Sequence, residues 1–146
     1  MRAAGTTDPD DDANGLGFTT AVLRSFAFLA DWGFVIEASS PSFTNFVRDG
    51  IVVNVGRDPY GYEIYAGIKD RVHNANRTDV WTARGVLTGE YGELDRPQTR
   101  EQLASAVEKC ASVFREMGRD MLVDRVGLKD FLRRAYELEQ GHPPTW

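Results

Sequence analysis

The chain has 146 residues, of which 42% are hydrophobic and 27% charged, and its 22 acidic against 17 basic side chains leave a net charge of -5. That length suits one domain able to bury a core without disulfide or metal staples, and the acidic balance argues against nucleic acid as a partner, because phosphate contacts need a basic face. A single cysteine, Cys110, excludes an internal disulfide and any multi-cysteine metal site. No apolar run approaches the roughly 20 residues needed to span a bilayer, and no apolar stretch follows Arg2 as a secretory leader requires. A cytoplasmic protein with no membrane partner is the expectation.

Residues 1 to 15 are small, polar and acidic, with Asp8, Asp10, Asp11 and Asp12 close together. Such a segment cannot bury enough apolar area to offset its ordering entropy, so it reads as a disordered tail. A single domain is expected over 16 to 140, followed by a short tail over 141 to 146. Residues 17 to 32 read as a helix capped by Thr19 or Thr20. Val22, Phe26 and Leu29 recur at helical spacing, Leu23 and Ala30 widen the stripe, and Gly33 suits the left-handed position after the last turn.

Phe34 to Ala38 alternates as a strand with Phe34, Ile36 and Ala38 on one face, and residues 39 to 42 read as a turn. Asp49-Gly50 then closes a two-residue hairpin. That loop sets Arg48 opposite Ile51, Phe46 opposite Val53 and Thr44 opposite Val55, which places Phe46, Ile51, Val53 and Val55 on one face. Asn45, Val47, Val52 and Asn54 fall on the other. A second turn spans Arg57-Asp58-Pro59-Tyr60-Gly61. Tyr62, Ile64, Ala66 and Ile68 alternate as a fourth strand. Residues 69 to 79 are polar, Val80 to Leu87 reads as a fifth strand or as irregular chain, and 88 to 97 is a loop.

The strongest helix covers 98 to 117, where Leu103, Val107, Cys110, Phe114 and Met117 form a 4-3-4-3 stripe and Thr99 with Gln102 forms a capping box. Gly118 ends it, and residues 121 to 123 are read as a crossing over the sheet. A last helix covers about 127 to 139. The fold class is therefore α+β: an N-terminal helix, an antiparallel meander of four to five strands, and two C-terminal helices packed on one face of the sheet. The order is not βαβ, so the nucleotide crevice of parallel sheets is not expected.

Candidate chemistry is sparse. Cys110 lies on the apolar stripe of the strongest helix, where a free cysteine is usually core. His73 and His142 share no helix-face spacing with other ligands. Gly85, Gly89 and Gly92 lack the Lys-Ser/Thr and the strand-to-helix context of a phosphate loop. No catalytic residue, metal ligand or cofactor is assigned. The aromatic and arginine set is more informative. Arg57, Tyr60 and Tyr65 gather about the second turn and fourth strand, with Trp81 and Arg84 in the next ordered stretch, and Tyr, Trp and Arg are enriched at interface hot spots. These five form the candidate partner-binding surface, against the packing alternative that Tyr65 pairs across the sheet.

The element order carries a resemblance. A helix running into a Gly-Phe strand is followed by the strand 43 to 48, the strand-turn-strand unit 52 to 65, and a long helix from Leu103 to Met117 that leads into Met121 to Asp124. Over most of residues 17 to 138 this resembles small uncharacterised bacterial α+β proteins, including some that act as immunity proteins for polymorphic toxins. The resemblance implies a non-enzymatic protein whose partner is another protein, a toxin that it binds and blocks. An acidic inhibitor is steered toward a basic target, and the net charge fits that.

The leading expectation is therefore a non-catalytic protein-binding domain, with an immunity-type inhibitor as its specific form. Two other readings stand beside it. One is a small-molecule module or enzyme with a site between sheet and helices, built from Asp70, His73, Arg77 and Asp79. The other is a structural or chaperone-like subunit, a homodimer formed through a sheet edge or the last helix.

Overall fold

The hairpin forms where turn chemistry and hydrophobic pattern agree. In the computed structural model, which describes residues 17–58, 63–71, 77–89 and 97–139, Asp49 and Gly50 both take positive φ, 50° and 82°, as a two-residue hairpin turn of matched twist requires. The flanking strands β2 (Phe43–Arg48) and β3 (Ile51–Arg57) pair with Arg48 opposite Ile51, Phe46 opposite Val53 and Thr44 opposite Val55, the register read from the sequence. Strand β1 (Val35–Ser40) precedes them, and β4 (Ile64–Asp70) and β5 (Arg77–Asp79) follow. All pair antiparallel in the order β1-β2-β3-β4-β5, a five-stranded meander.

The helices are α1 (Phe18–Ser25), α2 (Phe28–Asp31), α3 (Val80–Thr88), α4 (Arg100–Met117), α5 (Arg119–Val123) and α6 (Arg125–Glu139). Those that meet the sheet touch it on one side, α1 at β2, α3 and α4 at β4, and α6 at β5. Phe18, Val22, Phe26, Phe114, Leu128 and Phe131 join Phe46, Val53, Val55, Ile64 and Ile68 in one buried cluster. Phe26 is its hub, with ring centroids 5.9 Å from Phe46 and 5.8 Å from Phe114. Each such aromatic buries some 150–250 Å² and so dominates the packing energy. Cys110 is 1% exposed within the same cluster.

Four expectations are corrected. The helix over 17 to 32 is two helices, broken at Phe26-Ala27. The break leaves Phe26 and Leu29 fully buried, while Leu23 and Ala30, read as part of the apolar stripe, are exposed. Strand β1 does not alternate evenly: a bulge between Ile36 and Ala38 inserts Glu37, so Ile36 and Ala38 fall on different faces. Residues 80 to 88 are neither strand nor irregular chain but helix α3. The Asp79 carboxylate makes it so: Oδ1 accepts from the N–H groups of Trp81 and Thr82 at 2.9 and 2.8 Å, satisfying two donors that a helix start leaves orphaned. Strand β5 is the three residues before that cap. Finally, residues 121 to 123, read as a crossing over the sheet, form part of helix α5, which packs chiefly on its neighbours α4 and α6. The two tails, Tyr60, Tyr62, His73 and His142 lie outside the described residues.

The long helix is capped as expected but with a longer reach. Thr99 Oγ1 accepts from Gln102 N, and Gln102 Oε1 accepts from Gln98 N rather than from the cap residue itself. At its far end Arg115 binds α1 to α4. Its Nη2 donates to the Ser25 carbonyl at 3.1 Å, and its guanidinium lies 5.0 Å from the Phe28 ring centroid. A cation is thus placed against the negative end of the α1 dipole.

Candidate functional site

With the helices on one side, the outer face of the sheet shows its own cross-strand rows. The hydrogen-bonded register sets them out: Val35, Val47, Val52, Lys69 and Arg77 form one row, and Ala38, Asn45, Asn54, Gly67 and Asp79 the next. The third contains Ser40, Phe43, Gly56 and Tyr65. A trough of about 470 Å³ lies over the middle row, lined among others by Asn45, Val52, Asn54, Tyr65, Lys69 and Asp79.

Glycines shape it. A Cβ on Gly67 would stand 2.9 Å from the Thr78 carbonyl oxygen, so only glycine fits there, and the floor of the trough is left without a side chain. A Cβ on Gly56 would stand 2.4 to 2.5 Å from the ring and hydroxyl of Tyr65. Tyr65 therefore lies across Gly56, an aromatic covering the gap that a strand glycine leaves. It is still 44% exposed, so it closes one side of the trough and keeps an aromatic surface toward solvent.

The floor is polar by construction. Asn54 Nδ2 donates to Asn45 Oδ1 across the β2–β3 pair. Whichever way round the two amides stand, a single bond between them leaves one carbonyl oxygen and three of the four N–H donors outside it. Lys69 supplies a cation at one edge of the trough, and Asp79 is present but committed. Besides the two helix N–H groups at its Oδ1, its Oδ2 accepts from Thr82 Oγ1 at 3.0 Å. The trough thus offers an amide donor and acceptor, an aromatic wall and a lysine. Among the described residues no group of three His, Cys, Asp or Glu could hold a metal ion, and no helix is long and apolar enough to cross a membrane.

Of the five residues expected to form the binding surface, the four described are not brought together on one face. Tyr65 lines the trough. Arg57, on the same strand phase as Val53 and Val55, points inward and is 4% exposed. Trp81 and Arg84 sit half-buried on α3; Trp81 packs against the core cluster, and the Arg84 carbonyl accepts from Thr88 Oγ1. Tyr60 lies outside the described residues. Of the groups suggested for a site between sheet and helices, Asp70 is buried on the inner face and Asp79 lines the outer trough. His73 and the side chain of Arg77 are not among those described. The residues that reasoning from sequence passed over are Asn45, Asn54 and Lys69. Their signal was present for the asparagines: two amides directly opposite each other on the face that the register turns away from the core.

Comparison with protein-family models, with curated proteins and with solved structures finds no match to this chain.

Proposed function

We propose that this protein is a non-catalytic binding domain whose partner is another protein, seated on the outer face of the sheet over Asn45, Asn54, Tyr65 and Lys69. The observation that carries the reading is the trough on the outer face: among the described residues, the helices join the sheet in the buried cluster on its inner face, and the trough is lined by hydrogen-bonding and aromatic groups. A protein segment laid in the trough finds an amide pair to read a peptide group, a tyrosine to pack on and a lysine for a carboxylate. Inhibition of a toxin by covering its functional surface is the specific form proposed. The net charge of -5 favours a basic target at long range.

The test is a parallel capture. Wild-type protein and the variants Tyr65→Ala and Asn54→Lys are immobilised side by side in lysate of the source cells. Retention of one stoichiometric protein by the wild type, and its loss from both folded variants, supports the surface. Equal retention by all three discards it.

A further inference from the structure

At the end of the sheet remote from the Asp49–Gly50 turn, β3 finishes on Arg57, which faces inward and is 4% exposed. Its Nε donates to the Pro41 carbonyl at 2.7 Å, and its backbone N–H donates to the Ser42 carbonyl at 2.9 Å. Its Nη1 is buried and has no hydrogen-bond partner. Among the described residues no carboxylate forms an ion pair with it. The first turn of α1 closes the same corner, because the Thr19 hydroxyl donates to the Ser40 carbonyl at 3.4 Å. The cap residue of that helix, Gly17, supplies no side-chain acceptor.

Two needs are unmet here. An arginine guanidinium is a full cation, and burying it is costly unless it is paired. A backbone carbonyl or a water molecule satisfies a donor but does not neutralise a buried cation. The group that satisfies both is an oxyanion, whose paired oxygens match the arginine fork. The positive end of α1 at the same corner favours the same charge. We infer that Arg57 is the buried half of an anion site that takes a carboxylate or phosphate group at the corner of β1, β3 and α1. It is distinct from the outer trough, being on the opposite face of the sheet. The oxyanion is supplied from outside.

Thermal unfolding of the full chain in inorganic phosphate at constant ionic strength tests this. A saturating rise in the midpoint of the wild type, of roughly 3 °C or more, that is lost in Arg57→Gln supports the site. No saturating rise overturns it. A rise that persists undiminished in Arg57→Gln overturns it too, since phosphate then acts by general exclusion from the surface. If Arg57→Gln does not fold, the Arg57 Nε–H resonance of the wild type decides between the same outcomes: movement along the phosphate titration supports the site, and a fixed resonance rejects it.

Discussion

Strands β2 to β4 carry Phe46, Ile51, Val53, Val55, Ile64 and Ile68 on the inner face, each at most 5% exposed. The same strands carry Asn45, Asn54, Tyr65, Gly67 and Lys69 on the outer face. Because side chains alternate with a period of two, one backbone can serve both. The inner set fills the core, and the outer set lines the trough. If the proposed binding surface holds, stability and recognition lie on opposite faces of one sheet, and substitutions should separate them.

The largest effect is expected inside. Phe114→Ala removes a fully buried ring that packs on Phe26 and should cost about 3–5 kcal/mol in urea unfolding. A loss below about 1 kcal/mol would mean that the inner face tolerates a cavity and that the contrast between the faces is weaker than drawn. Gly67→Ala tests the outer face where backbone closes on it. Its new methyl meets the Thr78 carbonyl at 2.9 Å, so β5 must shift, at a cost of about 1–3 kcal/mol. Asp79→Ala should follow at about 0.5–2 kcal/mol through the lost cap, read by the same unfolding curve and by loss of helical circular dichroism. Tyr65→Ala sharpens the comparison most. It should leave stability within about 1 kcal/mol yet weaken partner binding at least about tenfold. A Tyr65 variant that unfolds but still binds in its folded fraction would reverse the assignment of roles.

What the sequence disclosed follows from which interactions are local. The Asp49-Gly50 turn fixes the β2–β3 register with no help from distant residues, and the helix of 100 to 117 carries both its apolar stripe and its cap within one segment. Helix α3 was hidden because Val80, Trp81 and Thr82 favour strand locally and Gly85 interrupts the helical pattern. The side chain of Asp79 decides the matter, and a cap is legible only once a helix is suspected. The α1–α2 break was hidden for a different reason. Phe18, Val22, Leu23, Phe26, Phe28 and Leu29 offer more apolar positions than one straight helix can bury, and the choice among them is made by α4 and the sheet. The inward turn of Arg57 was legible in the alternation that buries Val53 and Val55, but arginine at a turn is ordinarily read as surface. The trough was half legible: register placed Asn45 opposite Asn54, whereas Lys69 and the lie of Tyr65 over Gly56 depend on the β3–β4 pairing.

The smallest effect belongs to the pair that reaches from β1 to the end of β4. Glu37, in the β1 bulge, accepts from both terminal nitrogens of Arg71, which follows β4. That hydrogen bond is the largest effect and holds the Glu37 carboxyl below the usual glutamate range; desolvation, next in size, opposes it, and the charges of Arg71 and then Lys69 add to the lowering. A carboxyl that titrates lower in the folded state than in the unfolded state stabilises the fold above its unfolded pKa. That contribution is lost as the pH falls through the folded value. Glu108 is lowered in the same direction, chiefly by its hydrogen bond from Arg115, so acid weakening of the wild type sums the two. Arg71→Ala isolates the outer pair. It should return the Glu37 titration, followed by carboxyl carbon NMR, toward the ordinary range and leave that of Glu108 in place. Stability at neutral pH should change least of all the variants, because both groups are solvent-exposed and such pairs contribute little net free energy. A Glu37 titration unmoved by Arg71→Ala would mean that Lys69, not the ion pair, sets the charge of this edge, and Lys69→Ala would then be the variant that moves it.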